Sequence, residues 1–144
     1  LLGTLVHRLV RRFGLDSTAD VDAAAMDLLE PGEIVDIPES ATVCAQAAHA
    51  FRALCSMADV RDLYHGGTAL HEVPFTLRLD GRIVRGTIDC LVVKDDAIVV
   101  LEFKTGRERP EHAFQVDLYG KAMQAVHPGR RVDLRVIYLG DAIN

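Results

Sequence analysis

Gly86-Thr87-Ile88-Asp89, followed by Leu101-Glu102-Phe103-Lys104-Thr105-Gly106, decides how this chain is read. Asp89 is a carboxylate inside Arg82 to Val93, an otherwise apolar stretch whose period of two marks a strand. Ala97 to Lys104 reads as a further strand. Its apolar run from Ala97 to Leu101 predicts a central position covered on both faces. Glu102 and Lys104 are two apart and share a face, while Leu101 and Phe103 take the other. Lys94-Asp95-Asp96 is a tight turn that folds the two strands antiparallel, and counting back from it sets Asp89 roughly opposite Glu102.

Working outward, Ala69 to Leu79 is a strand with Pro74 inside, hence an edge or bulged strand. Asp80-Gly81 is a hairpin turn. After a polar loop at Thr105 to Arg109, Pro110 to Val126 reads as a helix opened by Pro110 and Glu111 and ended by His127-Pro128-Gly129. Val132 to Leu139 is a last strand. Upstream, Leu2, Leu5, Val6, Leu9, Val10 and Phe13 recur at helical spacing, and Gly14 closes that helix. Asp20 to Leu29 is a short second helix, and a third begins near Pro38. Asp59 to Tyr64 adds a turn before His65-Gly66-Gly67. Helices, three meandering strands, a helix and a strand make an α/β sandwich on a mixed sheet.

The 144 residues fit one domain with enough chain for a core. Apolar residues at 49% and charged residues at 26% exclude a disordered chain. The longest apolar run, Ala97 to Leu101, is too short for a membrane span or a signal-peptide core. The net charge of −5 argues against an electrostatic DNA coat, yet it is unevenly placed. Residues 1–13 carry +3, residues 14–64 carry −8 (ten acids against two arginines), and residues 65–144 balance at zero. Cys44, Cys55 and Cys90 show neither a C-x-x-C pair nor zinc spacing, which fits buried thiols in a reducing cytoplasm. The chain starts at Leu1, not Met, with a helical pattern at once. It is therefore expected to be a fragment of a longer protein.

Asp89, Glu102 and Lys104 crowd one end of the expected sheet. Two adjacent carboxylates repel unless a proton or cation lies between them. Hard oxygen ligands suit Mg²⁺ or Mn²⁺, and a nearby ammonium can orient water and stabilise developing negative charge. That is a coherent site for phosphodiester hydrolysis. By spacing alone an ion triad at a strand end, with Lys104 neutralising Glu102, is the commoner reading of the three side chains. Gln115 and Tyr119, at i and i+4, share a helix face that can reach the same end.

Gly86-x-x-Asp89, Glu102-x-Lys104-Thr105-Gly106 and Gln115-x-x-x-Tyr119, in this order, resemble the PD-(D/E)XK nuclease superfamily, in particular its RecB/AddA-type branch. Gly3-Thr4-Leu5-Val6-His7 is similar to that branch's opening helix motif, and Glu72-Val73-Pro74-Phe75 to its first-strand motif. Residues 15–65 form an unmatched helical insert. The resemblance implies a restriction-endonuclease-like αβββαβ core with a mixed central sheet flanked by helices, as a single domain over 1–144. It implies metal-binding acids at Asp89 and Glu102, a ligating backbone carbonyl at Phe103, a catalytic lysine at Lys104 and a metal-completing histidine at His7. Gln115 and Tyr119 match positions that support the site and contact the DNA strand. Glu72 orients a ligand or pairs with a strand-end arginine.

The implied activity is Mg²⁺- or Mn²⁺-dependent DNA hydrolysis by the exonuclease domain of a helicase–nuclease in double-strand break repair. Its implied partners are DNA and a UvrD-like helicase region, in the same protein or in a separate one. Two other readings stay open: a nuclease fold kept for DNA or subunit docking, and a stand-alone phage-like exonuclease. Some relatives hold an iron–sulfur cluster with cysteines after the Gln/Tyr helix. This sequence has no cysteine beyond Cys90, so no such cluster is expected, and no Walker A motif is present.

Overall fold

The computed structural model describes residues 1–34 and 37–140. Its elements follow the order α1 (Leu2–Phe13), α2 (Val21–Asp27), a 3₁₀ turn (Pro31–Glu33), α3 (Ile37–Ser56), α4 (Ala58–Tyr64), β1 (Thr68–Leu79), β2 (Arg82–Val93), β3 (Ala97–Lys104), α5 (Pro110–Val126) and β4 (Arg131–Tyr138). Contacts cluster into two units. The first holds residues 1–62, 104–107 and 138–140, and the second holds residues 63–103 and 108–137.

In the first unit, α1 buries Leu5, Val6, Leu9 and Val10 along one stripe. Val21, Ala24 and Ala25 of α2 and Ala47, Ala50, Phe51 and Leu54 of α3 are buried as well. Small residues on α3 let helices approach closely, and Phe13 meets Phe51 edge to face with ring centroids 6.3 Å apart. Gly14 ends α1 at φ 60°, a conformation that favours glycine. Asp20 caps α2 by accepting from the Ala23 N–H. Arg8 ties α1 to the acidic stretch. It donates to the Leu28 carbonyl at 2.9 Å and to Glu33 at 2.6 Å, and it reaches Glu30 at 3.0 Å. The carboxylates hold the Arg8 guanidinium above its ordinary value, chiefly through the bond to Glu33.

The second unit holds most of a four-stranded sheet in the order β1-β2-β3-β4. The first three strands meander antiparallel. Arg131 N–H donates to Asp96 O at the start of β3, and Leu139 N–H donates to Lys104 O at its end, so β4 runs parallel to β3. The sheet is therefore mixed, as the crossover helix required. Asp80 and Gly81 both take positive φ, 49° and 75°, the signature of a type I′ hairpin turn. β1 is an edge strand, and no residue is inserted along its register, so Pro74 needs no bulge. β3 lies third of four and is buried from Ala97 to Phe103. The α5 side of the sheet is packed by Phe75, Ile88, Leu91, Ile98 and Val100 against Tyr119, Ala122 and Met123. Gly120 lets α5 close on β4, because a Cβ there would stand 3.0 Å from the Leu134 side chain.

The three cysteines are buried and in no disulfide. Burial, helped by Asp16, pushes the Cys55 thiol up to about 11 from an ordinary 9.0. The unfolded chain therefore releases this proton first as pH rises. The contribution is whole below about pH 9 and is lost as pH climbs through about 11. Urea midpoints are expected to fall across that interval, and to fall less in Cys55→Ala. Equal pH profiles for the two proteins would contradict the assignment.

Candidate active site

The sheet is irregular where the acids lie. Ile88 and Leu91 both join the α5-side cluster, although strict alternation puts residues three apart on opposite faces. Alternation therefore slips by one between them, and Asp89 lies in the slip. Across on β1, Glu72 takes φ 53°, and the Glu72–Asp89 position is skipped in the otherwise continuous pairing. A non-glycine residue at positive φ stores strain, and such strain collects at functional sites.

Asp89 and Glu102 interlock across β2 and β3. The register brings Cys90 opposite Leu101, so Asp89 and Glu102 are the next pair. The Asp89 N–H donates to Glu102 Oε1 at 3.3 Å, and the Phe103 N–H donates to Asp89 Oδ2 at 2.9 Å. Each carboxylate is thus aimed by the backbone of the opposite strand. Glu102 is only 1% exposed. A carboxylate this buried is costly unless it is compensated. A carboxylate oxygen of Glu72 lies within 4.8 Å of one from Asp89. Three acids on three adjacent strands therefore converge at one end of the sheet. Their hard oxygen donors fit a divalent cation such as Mg²⁺ or Mn²⁺.

α5 brings the remaining pair. Tyr119 is 6% exposed, its ring edge-on to Phe75 with centroids 5.2 Å apart. Gln115 Nε2 donates to the Tyr119 hydroxyl at 2.7 Å. Burial raises the Tyr119 phenol first, and the Glu102 charge adds to it. The Gln115 bond partly offsets this, and Asp89 raises it further. The phenol thus stands within the field of both acids and stays protonated at neutral pH. The family resemblance gives Tyr119 as a residue that supports the site and contacts the DNA strand. Its ring is a core side chain and its hydroxyl is turned to Gln115.

Gly86 explains its own motif. A Cβ there would lie 2.7 Å from Phe75 Cε1 and 3.4 Å from Tyr119 Cε1. Only glycine lets β2 pass beneath these rings.

Glu72, Asp89, Glu102, Phe103, Gln115 and Tyr119 all belong to the second unit. Lys104, the next residue on β3, counts with the first, as does His7 on α1. Within the first unit, α1 lies against the turn after Lys104, since a Cβ on Gly3 would stand 3.1 Å from Thr105 Oγ1. His7 is four residues from Gly3 and so shares its helix face.

Sequence reading missed a polar group beside Asp89. The Tyr64 hydroxyl lies 3.0 Å from His71 Nε2 and also bonds the Cys90 thiol. Burial lowers the His71 pKa, which keeps its ring neutral. A histidine and a tyrosine flanking a Gly-Gly pair carried no periodic signal.

Comparison with protein families matches residues 1–142 to the PD-(D/E)XK nuclease superfamily. The chain belongs to that superfamily. The match runs through residues 15–65, which the motifs alone had left as an insert. Over 161 aligned residues the chain is 27% identical to an ATP-dependent helicase/nuclease subunit from Pelotomaculum thermopropionicum, covering 95% of this chain and 12% of that protein. It is 42% identical over 57 residues to "Gene 69 protein" of Mycobacterium phage D29, covering 40% of this chain and 21% of that one. The chain thus spans a small part of these relatives. It also resembles the crystal structure of protein VC1899 from Vibrio cholerae, with TM-score 0.45 and 12% identity over 96% of this chain and 47% of that chain.

Proposed function

We propose that this PD-(D/E)XK chain is a metal-dependent deoxyribonuclease, acting as the exonuclease domain of a cytoplasmic helicase–nuclease in double-strand break repair. The observation that carries the reading is the interlocked Asp89–Glu102 pair, each held by a backbone N–H of the other strand. The helicase connection rests on the relative named as a helicase/nuclease subunit. Among the described residues no helix is long and apolar enough to cross a membrane.

Asp89 and Glu102 would hold Mg²⁺ or Mn²⁺, with His7 and the Phe103 carbonyl completing the ligands. A bound cation supplies an acidified water and stabilises charge on the phosphoryl oxygen. Lys104 holds the attacking water by its ammonium and faces the negative charge that develops on the phosphoryl oxygens. Gln115, fixed by the Tyr119 hydroxyl, presents its amide to the strand. Glu72 orients the Asp89 carboxylate. Hydrolysis adds one water across a P–O bond, and the leaving oxygen takes up a proton.

The test is Mg²⁺-dependent release of nucleotides from DNA, with Mn²⁺ binding followed by calorimetry. Lys104→Ala is expected to lose roughly 10²–10³-fold in rate and to keep the cation. Equal rates in wild type and variant would overturn the role of Lys104. A wild type that binds no cation favours a docking module. A second reading is a stand-alone phage-like exonuclease, in keeping with the 57-residue match to a phage protein. That reading predicts full activity without a helicase partner.

A further inference from the structure

The β1–β2 hairpin outruns the rest of the sheet. β2 pairs with β3 from Cys90 to Val93, and from Arg82 to Ile88 it pairs with β1. One face of this distal half is core, with Val73, Phe75, Leu77 and Ile88 packed in the α5-side cluster. The other face is solvent-exposed. It carries three cross-strand pairs, Pro74 with Thr87, Thr76 with Arg85, and Arg78 with Ile83. Arg82 is exposed beside the turn, and Ile83 is 58% exposed. Among the described residues no carboxylate pairs with Arg78, Arg82 or Arg85.

Arg78 and Arg85 share this face, while Arg82, paired with Leu79 and three residues from Arg85, is exposed at the tip with the opposite parity. Together they make a local positive patch around the end of the hairpin, and the planar guanidinium fork suits phosphate. Thr76 and Thr87 beside them on the exposed face add hydroxyl donors. The net negative charge of this chain belongs to residues 14–64, while residues 65–144, which include the hairpin, balance at zero. Asp89 continues the same strand. At about 3.3 Å per residue, Arg85 lies about 13 Å and Arg82 about 23 Å along β2 from Asp89. At about 3.4 Å of rise per nucleotide, that is about four to seven nucleotides.

We propose that the β1–β2 hairpin, through Arg78 and Arg85 on its exposed face and Arg82 at its tip, grips the phosphate backbone of the nucleic acid about four to seven nucleotides from the bond cut at Asp89 and Glu102. The inference rests on the nuclease reading for its substrate. It adds a binding surface outside the acid site. The contacts are electrostatic, so they position the strand and carry no base sequence.

The experiment compares two triple variants of the full chain, R78Q/R82Q/R85Q on the hairpin and R130Q/R131Q/R135Q at the opposite, β4 edge of the sheet. Thermal melts establish that both fold. Fluorescence anisotropy with an oligonucleotide of about 20 nucleotides, in EDTA, gives the slope of log affinity against log salt, where each phosphate contact contributes about 0.7–0.9. The hairpin triple is expected to lose about 2–3 in slope and the β4 triple less than about 1. An unchanged slope in the hairpin triple overturns the proposal, and so does an equal loss in both triples. Cleavage by the wild type is measured in parallel. DNA cutting with equal slopes keeps the nuclease reading and removes the arm. A hairpin-specific loss without cutting keeps the arm and removes the nuclease reading.

Discussion

Glu102→Gln is expected to lower DNA hydrolysis by at least about 10²–10³-fold while leaving the melting temperature close to that of the wild type. Glutamine keeps the shape of Glu102 and one side-chain oxygen. That oxygen still accepts the Asp89 N–H, which meets Glu102 Oε1 at 3.3 Å. What disappears is a negative charge at a position 1% exposed, beside a second carboxylate. Removing it relieves repulsion with Asp89 and deletes a ligand proposed for the cation. Glu102→Ala, by contrast, leaves the Asp89 N–H without its acceptor and costs about 1–3 kcal/mol. Nucleotide release with Mg²⁺ and thermal melts on both variants separate charge from structure. Wild-type cleavage by Glu102→Gln would remove Glu102 from the chemistry.

Gly86→Ala is the second large effect, and it acts through packing. Two terms oppose each other. Alanine stiffens the unfolded chain, which favours the fold by about 0.4–1 kcal/mol. The new Cβ meets Phe75 Cε1 at 2.7 Å and Cζ at 2.8 Å, inside a packed cluster. Overpacking of that kind costs about 1–3 kcal/mol, so the clash wins. The melting temperature is expected to fall by about 2–4 °C per kcal/mol. Displacing Phe75 also moves the Tyr119 ring beside it, and with it Gln115. Nuclease activity per folded molecule should therefore fall as well. Phe75→Leu deletes the two clashing ring atoms, so the double variant is expected to be more stable than the sum of the single losses. Additive losses would show that the Phe75 contact is not the cause.

The strands, turns and helices were legible because each carries a local signal. Pro110 opens α5, Asp80-Gly81 turns the hairpin, and the apolar run Ala97 to Leu101 marks a covered strand. The Asp89–Glu102 pairing was legible too. A short antiparallel turn fixes register, and counting from Lys94-Asp95-Asp96 needed nothing else. The residue types of the site came from spacing and family resemblance together.

Other features left no local trace. The left-handed Glu72 and the slip of alternation at Asp89 lie opposite each other on β1 and β2, and no single residue encodes them. Nor does a one-strand period reveal that Gly86 passes under Phe75 and Tyr119, which come from two other elements. Burial of the Tyr119 ring and the neutral Tyr64–His71–Cys90 group likewise depend on side chains distant in sequence.

The stretch from Gly86 to Gly106 shows the division most clearly. The sequence by itself determined that Asp89, Glu102 and Lys104 stand on adjacent strands, since backbone period and turn length are local properties. Only the tertiary structure decided that each acid is clamped by the other strand's N–H and overlooked by Tyr119. Hydrogen bonds and fields between side chains depend on distance in space, and distance in space is set by packing.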